Sequence, residues 1–432
     1  MAFATRELCP PHGEARFEML AAFFEKLARA LESEAVSLAG EMARHIGKPV
    51  YYGKGEVLRT ADMLRVVIQR ARQDALTNHG DGPEVRHRPL GRVAVITPWN
   101  NPFYIPLGKI APALLYGNTV VWKPAPAAEL LAGHVMRLAA EAGPLPEELL
   151  SCREGDGRIA LELMNDASID AVTLTGSLQT GRAVQEICTR RCIPFQAELG
   201  GNNAAIIWED ADLKGAARAV AEGAFAQAGQ RCTANRRVVV HRACRERFLE
   251  LLQKETAALP WGDPLDPAIR IGPLVSVAHR DRVAAMVASG VADLSPVMVP
   301  HALGPVGARG HEGTWHPATI ICCDDPGHEI VQHELFGPVL VVQTASDWDE
   351  AIALLNGVSQ GLVAALFSQK QKIIEAFLHE ARAGILKINQ STADAGLDVP
   401  FGGWKSSGIG PPEHGRFDRE FFTRPQAIYP SP

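Results

Sequence analysis

The amino-acid sequence predicts an α/β protein with parallel sheets, and three observations carry that expectation. Apolar residues spaced by three and four open the chain. Short apolar runs then alternate with helical patterns from Gly91, and a second alternation of the same kind runs from Gly337 to Leu386. Parallel βα units require such alternation, because each strand is followed by a helix that carries the chain back.

Phe17, Leu20, Phe24, Leu27 and Leu31 fall on one face of a helix that continues through Ala35 to His45, and Gly47-Lys48-Pro49 stops it. Val93–Ile96 and Thr119–Trp122 read as strands, and Ala127–Ala142 as a helix. Ala171–Leu174 is a strand with a helix after Gly181. Strand Ala204–Trp208, a helix from Asp212 to Ala228 and strand Arg237–Val240 follow. Residues 260–318 are rich in Pro and Gly with weak periodicity, which predicts loops inside a domain. We find no internal repeat and no low-complexity segment.

At 432 residues the chain should form two or three domains of roughly 100–200 residues each. A hydrophobic share of 47% supports real cores, and a net charge of −6 gives no basic field to track phosphates, so nucleic acid is not an expected partner. Residues Met1 to Arg6 lack the apolar stretch of a secretory leader, and no run of about eighteen apolar residues follows; no membrane partner and a cytoplasmic location are expected. Eight cysteines at irregular spacing do not resemble the framework of a small secreted domain, so most should be reduced thiols.

Three segments carry chemistry. In Gly229-Gln230-Arg231-Cys232-Thr233 a thiol stands between a glycine-containing turn and a strand. Any one cysteine of eight is more often a small buried apolar residue, but two basic neighbours and a polar setting favour a nucleophile. In Ala197-Glu198-Leu199-Gly200-Gly201 a carboxylate precedes two glycines at a strand-to-turn junction. Backbone can approach a ligand closely there, and partial burial would raise the carboxyl pKa toward that of a general base. An arbitrary glutamate is a surface residue; this setting argues otherwise. In Thr97-Pro98-Trp99-Asn100-Asn101-Pro102, Asn100 follows a strand at the carboxyl end, where open α/β sheets bind ligands. Its amide suits an oxyanion, or equally an Asn-Pro turn.

Together these segments resemble the aldehyde dehydrogenase superfamily, with Cys232 lying 34 residues beyond Glu198 at the family's usual spacing. Further stretches look like that family's motifs in order: Lys123-Pro124, Thr175-Gly176-Ser177 with Gly181, Glu334-Leu335-Phe336-Gly337-Pro338, Asn389, and Pro400-Phe401-Gly402-Gly403 with Lys405, Ser407, Gly408 and Gly410. The resemblance covers about residues 15–430.

The resemblance implies a Rossmann-type, doubly wound cofactor domain over residues 1–80 and 90–198, and an αβ catalytic domain over 199–396. It also implies a return of 397–415 to the cofactor side of the cleft and a small β oligomerisation arm over 81–89 and 416–432. Strands near 83–90 and 418–430 would pair with another subunit to cover their edges, giving a homodimer or homotetramer. The implied reaction is NAD(P)-dependent oxidation of a small-molecule aldehyde to the acid through a thiohemiacetal and thioester on Cys232. Asn100 and the Cys232 N–H hold the oxyanion, and Glu198 activates water. Lys109 and Glu413 occupy places that in relatives help to relay protons or to position the cofactor. Thr97, Pro98, Trp99, Lys123, Pro126, Gly176, Ser177, Gly181, Leu199, Glu334 and Phe336 line the implied cofactor site, where NAD or NADP binds.

Near-matches to other chemistry fail on single residues. The run Gly176 to Gly181 would need Lys and Ser or Thr next to be a P-loop, but Arg182 and Ala183 follow. His328-Glu329 would need a histidine where Gln332 stands to be a zinc-protease helix. Cys322-Cys323 and Cys188 with Cys192 lack paired ligand spacing, so no metal is expected, and His414 and the other histidines read as surface or satisfied core residues.

The sequence departs from the family in two places. Pro126 stands where many NAD-using relatives carry a glutamate that repels a 2′-phosphate, so NAD and NADP are both expected. The chain also begins near the family's first long helix, without an N-terminal hairpin of roughly fifty residues. For the substrate, residues 229–237 and 200–203 look like succinylglutamate-semialdehyde dehydrogenases, and residues 408–415 like 2-oxoglutarate-semialdehyde dehydrogenases. Both handle carboxylated aldehydes. Arg231 beside the nucleophile offers a cationic fork for such a carboxylate, with Asn389 as a second substrate contact, while a salt bridge to a neighbouring domain would occupy Arg231 otherwise. Two rival readings stand beside this one: a CoA-acylating aldehyde dehydrogenase, which Glu198 argues against, and a noncatalytic binding or structural protein that keeps the fold.

Overall fold

The computed structural model describes residues 14–75, 84–143, 145–146, 148–290, 294, 296–298, 311–393 and 395–429. Residues 1–6, read above for a leader, the edges 81–83 and 430–432 of the expected arm, and part of the Pro/Gly-rich stretch lie outside the described residues.

Helix α1 (Glu14–Ile46) buries Leu20, Phe24, Leu27 and Leu31, then Leu38, Met42 and Ile46, against α2 (Val50–Ala75). Strand β1 (Glu84–Pro89) follows, and then the first alternating set: β2 (Arg92–Thr97), α3 (Tyr104–Leu115), β3 (Thr119–Pro124), α4 (Glu129–Ala142), β4 (Leu150–Cys152), α5 (Gly157–Asn165), β5 (Ala171–Gly176), α6 (Leu178–Arg191) and β6 (Phe195–Leu199). Strands β6-β5-β2-β3-β4 run parallel in that spatial order. Val93, Val95, Val120 and Trp122 pack toward α1–α4, while Ala94, Ile96, Val121 and Val172 pack toward α5 and α6. With both faces covered, the middles of β2 and β3, Val93–Ile96 and Val120–Trp122, are apolar at consecutive positions and read as continuous runs. Helix α6 starts before Gly181, not after it. Ser177 caps it by accepting Thr180 N–H, and Gly181 lies inside because a Cβ there would come within 2.4 Å of a Leu199 methyl.

The second set comprises β7 (Asn203–Ile207), α7 (Leu213–Phe225), β8 (Asn235–His241), α8 (Arg245–Ala257), α9 (Val277–Gly290), β9 (Pro296–Met298), β10 (Thr319–Cys322), α10 (Glu329–Gln332), β11 (Val339–Ala345), α11 (Trp348–Asn356), β12 (Gln360–Gly361), β13 (Val363–Phe367), α12 (Gln371–Glu380) and β14 (Ile385–Ile388). They form a seven-stranded sheet of order β14-β13-β7-β8-β11-β10-β9, parallel except at β9; β12 lies outside it. The chain therefore passes from one sheet to the other at Gly200–Asn202, between β6 and β7. Strand β15 (Trp404–Lys405) pairs with β12, and β16 (Gly408–Ile409) returns antiparallel onto β6. Helix α13 (Phe417–Phe422) and β17 (Thr423–Ile428) end the described chain, and β17 pairs antiparallel with β1 from Glu84↔Ile428 to Pro89↔Thr423.

Two further expectations are corrected. The stretch 260–318 contains α9, whose buried stripe of His279, Val283, Val287 and Gly290 is too narrow and too little apolar to show as periodicity. The strand expected over 418–430 begins at Thr423, because 417–422 is helical; six residues with Asp418, Phe421 and Phe422 buried are too short a window for a helical period.

Candidate active site

The loop that carries Cys232 is held carbonyl by carbonyl. Asn100 Nδ2 donates to Gln230 O at 3.2 Å, Arg236 Nη2 to Arg231 O at 3.0 Å, Asn203 Nδ2 to Cys232 O at 2.7 Å, and Thr392 Oγ1 to Thr233 O at 2.6 Å. Each donor comes from a different stretch of chain, so the loop's place is set by both sheets and not by its own sequence. Upstream, Gln227, Ala228 and Gly229 all adopt positive φ, at 57°, 54° and 67°. Glycine is required at 229, where a Cβ would sit 2.3 Å from the Gly337 carbonyl oxygen. Burial pushes the Cys232 thiol up to about 12, aided by the charges of Glu334 and Glu198, while the backbone N–H groups of Thr233 and Cys232 pull the other way.

Glu198 is the penultimate residue of β6 with its side chain buried, and its Oε2 accepts the Gly403 N–H at 3.1 Å. Burial raises its pKa well above the ordinary carboxylate range; the charge of Glu413 adds to this and that of Lys109 opposes it. Lys109, on α3 and buried, forms an ion pair with Glu413 and donates to Thr173 Oγ1 at 2.8 Å. Glu413 is fixed by reciprocal backbone bonds with Phe401. The two residues expected as a relay thus meet each other, beside Glu198.

Asn100 follows β2 in a loop clamped from below. Lys48 Nζ donates to Asn100 O at 3.0 Å, to Asn101 Oδ1 at 2.6 Å and to Glu56 Oε2 at 2.5 Å. The other oxygen of Glu56 accepts Phe103 N–H and Tyr104 N–H, at 2.9 and 3.0 Å, and so caps the start of α3. Sequence reading took Lys48 only as part of a helix stop and missed Glu56, because nothing local marks a lysine as buried. With one amide N–H on Gln230, Asn100 keeps a second donor.

Cys232, Glu198, Asn100, Arg231 and Glu413 line one cavity of about 1750 Å³, together with Pro98, Trp99, Gly176, Ser177, Leu199, Glu334 and Phe336. Tyr104, Ser391 and Phe401 also line it and were not singled out as site residues. Other expected residues support the site from outside. The Thr97 hydroxyl accepts Trp122 Nε1–H, Lys123 Nζ rests on Pro124 O at 2.8 Å, and Pro126 opens an exposed 3₁₀ turn before α4. Asn389 is corrected: its amide closes two bonds with the Ser368 backbone, at 3.0 and 2.9 Å, and it does not line the cavity. Arg231 does line the cavity, but its Nη2 donates to Glu222 O and Gly223 O at 3.0 Å each, at the end of α7. His414 is a buried residue packed edge-on to Tyr104.

The site fits a dinucleotide. Gly176 and Ser177 bring the start of α6 to the cavity, where free N–H groups suit a pyrophosphate. Glu334 is held up to about 7 by burial, and its Oε1 has no hydrogen-bond partner among the described residues, with Arg236 no closer than 3.8 Å. A buried acceptor without a donor suits a ribose hydroxyl. Phe336 stands edge-on to Trp99, their ring centres 5.8 Å apart. Among the described residues no three His, Cys, Asp or Glu are grouped to hold a metal ion, and no helix is long and apolar enough to cross a membrane.

This double-sheet fold, with a thiol, a buried carboxylate and an amide on one cleft, defines a class of oxidoreductase. The sequence profile of the aldehyde dehydrogenase family matches residues 5–428, and the chain belongs to that family. It is 33% identical over 424 residues to the alpha-ketoglutaric semialdehyde dehydrogenase of Bacillus subtilis (strain 168), covering 95% of this chain and 85% of that protein. It is 34% identical over 403 residues to N-succinylglutamate 5-semialdehyde dehydrogenase 1 of Caulobacter vibrioides, covering 89% and 81%. Among solved structures, glyceraldehyde-3-phosphate dehydrogenase GapN of Methanocaldococcus jannaschii, complexed with NADP, superposes with a TM-score of 0.88 at 25% identity, covering 97% of this chain and 91% of that one. The chain is an NAD(P)-dependent aldehyde dehydrogenase.

Proposed function

We propose that this enzyme oxidises a carboxylate-bearing semialdehyde to the corresponding acid, accepting NAD or NADP. The convergence of Cys232, Glu198 and Asn100 on one cavity carries the reading. Ser177 and the start of α6 would hold the pyrophosphate, Lys123 the adenosine side, and Glu334 with Phe336 the nicotinamide ribose. Pro126 supplies no carboxylate to repel a 2′-phosphate. When bound, the dinucleotide supplies the hydride acceptor.

The chain's own residues do the rest. Cys232 loses its proton to solvent and its thiolate sulfur attacks the aldehyde carbon, forming a C–S bond. The second N–H of Asn100 and the Cys232 N–H receive the oxyanion. Loss of hydride from that carbon leaves a thioester on Cys232. Glu198 passes its proton toward Glu413 and Lys109, then takes one from water, whose oxygen adds to the thioester carbon; the C–S bond breaks and the acid leaves. Glu198 favours hydrolysis over transfer to CoA.

The test is a panel of aldehydes with each nicotinamide, followed by absorbance of the reduced cofactor, with and without CoA. Free acid as product supports the reading; acyl-CoA, or no turnover of any aldehyde, overturns it. We further propose a cytoplasmic homodimer or homotetramer joined through the β1–β17 ribbon, which light scattering of a monomer would refute.

A further inference from the structure

Most charges lining the cavity are accounted for by a partner. Lys48 is paired with Glu56, Glu413 with Lys109, and Arg231 donates to the carbonyls that end α7. Arg59 is different. It lies half-buried on α2, lines the cavity, and has no carboxylate within salt-bridge distance among the described residues. Its guanidinium carbon stands 5.7 Å from the centre of the Tyr104 ring. His414, also packed edge-on to that ring, has its pKa lowered by burial and offers no counter-charge. Lys54, also along this wall, is exposed to solvent and needs none.

Tyr104 begins α3, four residues beyond Asn100, and its ring meets Arg59, while Arg59 makes no hydrogen bond or ion pair with Gly176 or Ser177 among the described residues. A half-desolvated cation without a counter-ion is unfavourable unless a ligand supplies one. A guanidinium offers a planar fork of donors that matches a carboxylate.

We propose that Arg59 recognises the carboxylate of the substrate, at the end of the aldehyde remote from the carbonyl. The inference rests on the aldehyde oxidation proposed above. It also moves the recognition role from Arg231, which the sequence offered beside a structural alternative, to a residue of the N-terminal helical pair.

The experiment compares succinic semialdehyde with butyraldehyde, which differ in the carboxylate, on the wild-type enzyme, Arg59→Gln and Arg59→Lys. Wild type should favour the semialdehyde in kcat/KM by about tenfold to a hundredfold. Arg59→Gln should remove most of that ratio through KM, and Arg59→Lys should restore part of it. Glutarate, used as a competitive inhibitor of butyraldehyde oxidation, should bind wild type more tightly than Arg59→Gln by a similar factor. An unchanged ratio and an unchanged inhibition constant in Arg59→Gln overturn the inference while leaving the dehydrogenase reading intact. If no aldehyde is turned over by wild type with either nicotinamide, the reading itself fails and the inference falls with it.

Discussion

Asn100 Nδ2 and the Gln230 carbonyl, 3.2 Å apart, join the amide after β2 to the loop that carries Cys232. One side chain therefore fixes the nucleophile's backbone and leaves a donor facing the cavity. Asn100→Ala should lower kcat by about 10²–10³ through loss of the oxyanion donor. It should also destabilise the fold by about 1–3 kcal/mol, since the Gln230 carbonyl loses its partner. Steady-state kinetics and urea unfolding on the same protein check both; a stable variant with full kcat would remove Asn100 from the chemistry.

The resting thiol of Cys232 is the second testable feature. Because its pKa is pushed up to about 12, the thiolate fraction grows by about tenfold per pH unit across the whole range in which the protein is handled. Alkylation of Cys232 by iodoacetamide, read by mass spectrometry of its peptide, should rise with pH without levelling off near neutrality. A plateau at or below neutral pH would mean that the thiol is activated at rest.

Glu198 is raised for a different purpose. An acid with a raised pKa is protonated at mildly acidic pH and ionises only as pH climbs past the usual carboxylate range, so steady-state turnover should rise with pH toward neutrality. Glu198→Gln should remove that limb and slow steady-state acid formation, yet keep a burst of reduced nicotinamide, because acylation precedes hydrolysis. Stopped-flow absorbance separates the phases, and full steady-state activity in the variant would exclude Glu198 as the base.

Lys48 and Glu56 hold the Asn100 loop through a buried pair. Removing one member leaves the other charged and buried, so Lys48→Met should cost about 3–5 kcal/mol in urea unfolding and reduce kcat by displacing Asn100. Lys48→Met combined with Glu56→Leu should lose less stability than the two single changes added together. Additive losses would show that the pair is not coupled.

The sequence by itself determined the class of fold and singled out the candidate site residues, because both are recorded among near neighbours in the chain. Apolar runs such as Val93–Ile96 mark strands covered on both faces, and short motifs mark Cys232, Glu198 and Asn100. The narrow stripe of α9 and the brief α13 escaped that reading because too few residues repeat to define a period. What only tertiary structure decided is which side chains meet across long separations. Arg231 sits beside Cys232 in sequence, yet folding turns its Nη2 to the end of α7. Lys48 and Arg59 lie far upstream, in stretches that look like a helix stop and an ordinary helix surface, and folding brings one beneath Asn100 and the other onto the wall of the cavity. Charge and hydrogen bonding act through space, so a residue's partner, its burial and its pKa become defined only once the two sheets and the N-terminal helices have packed.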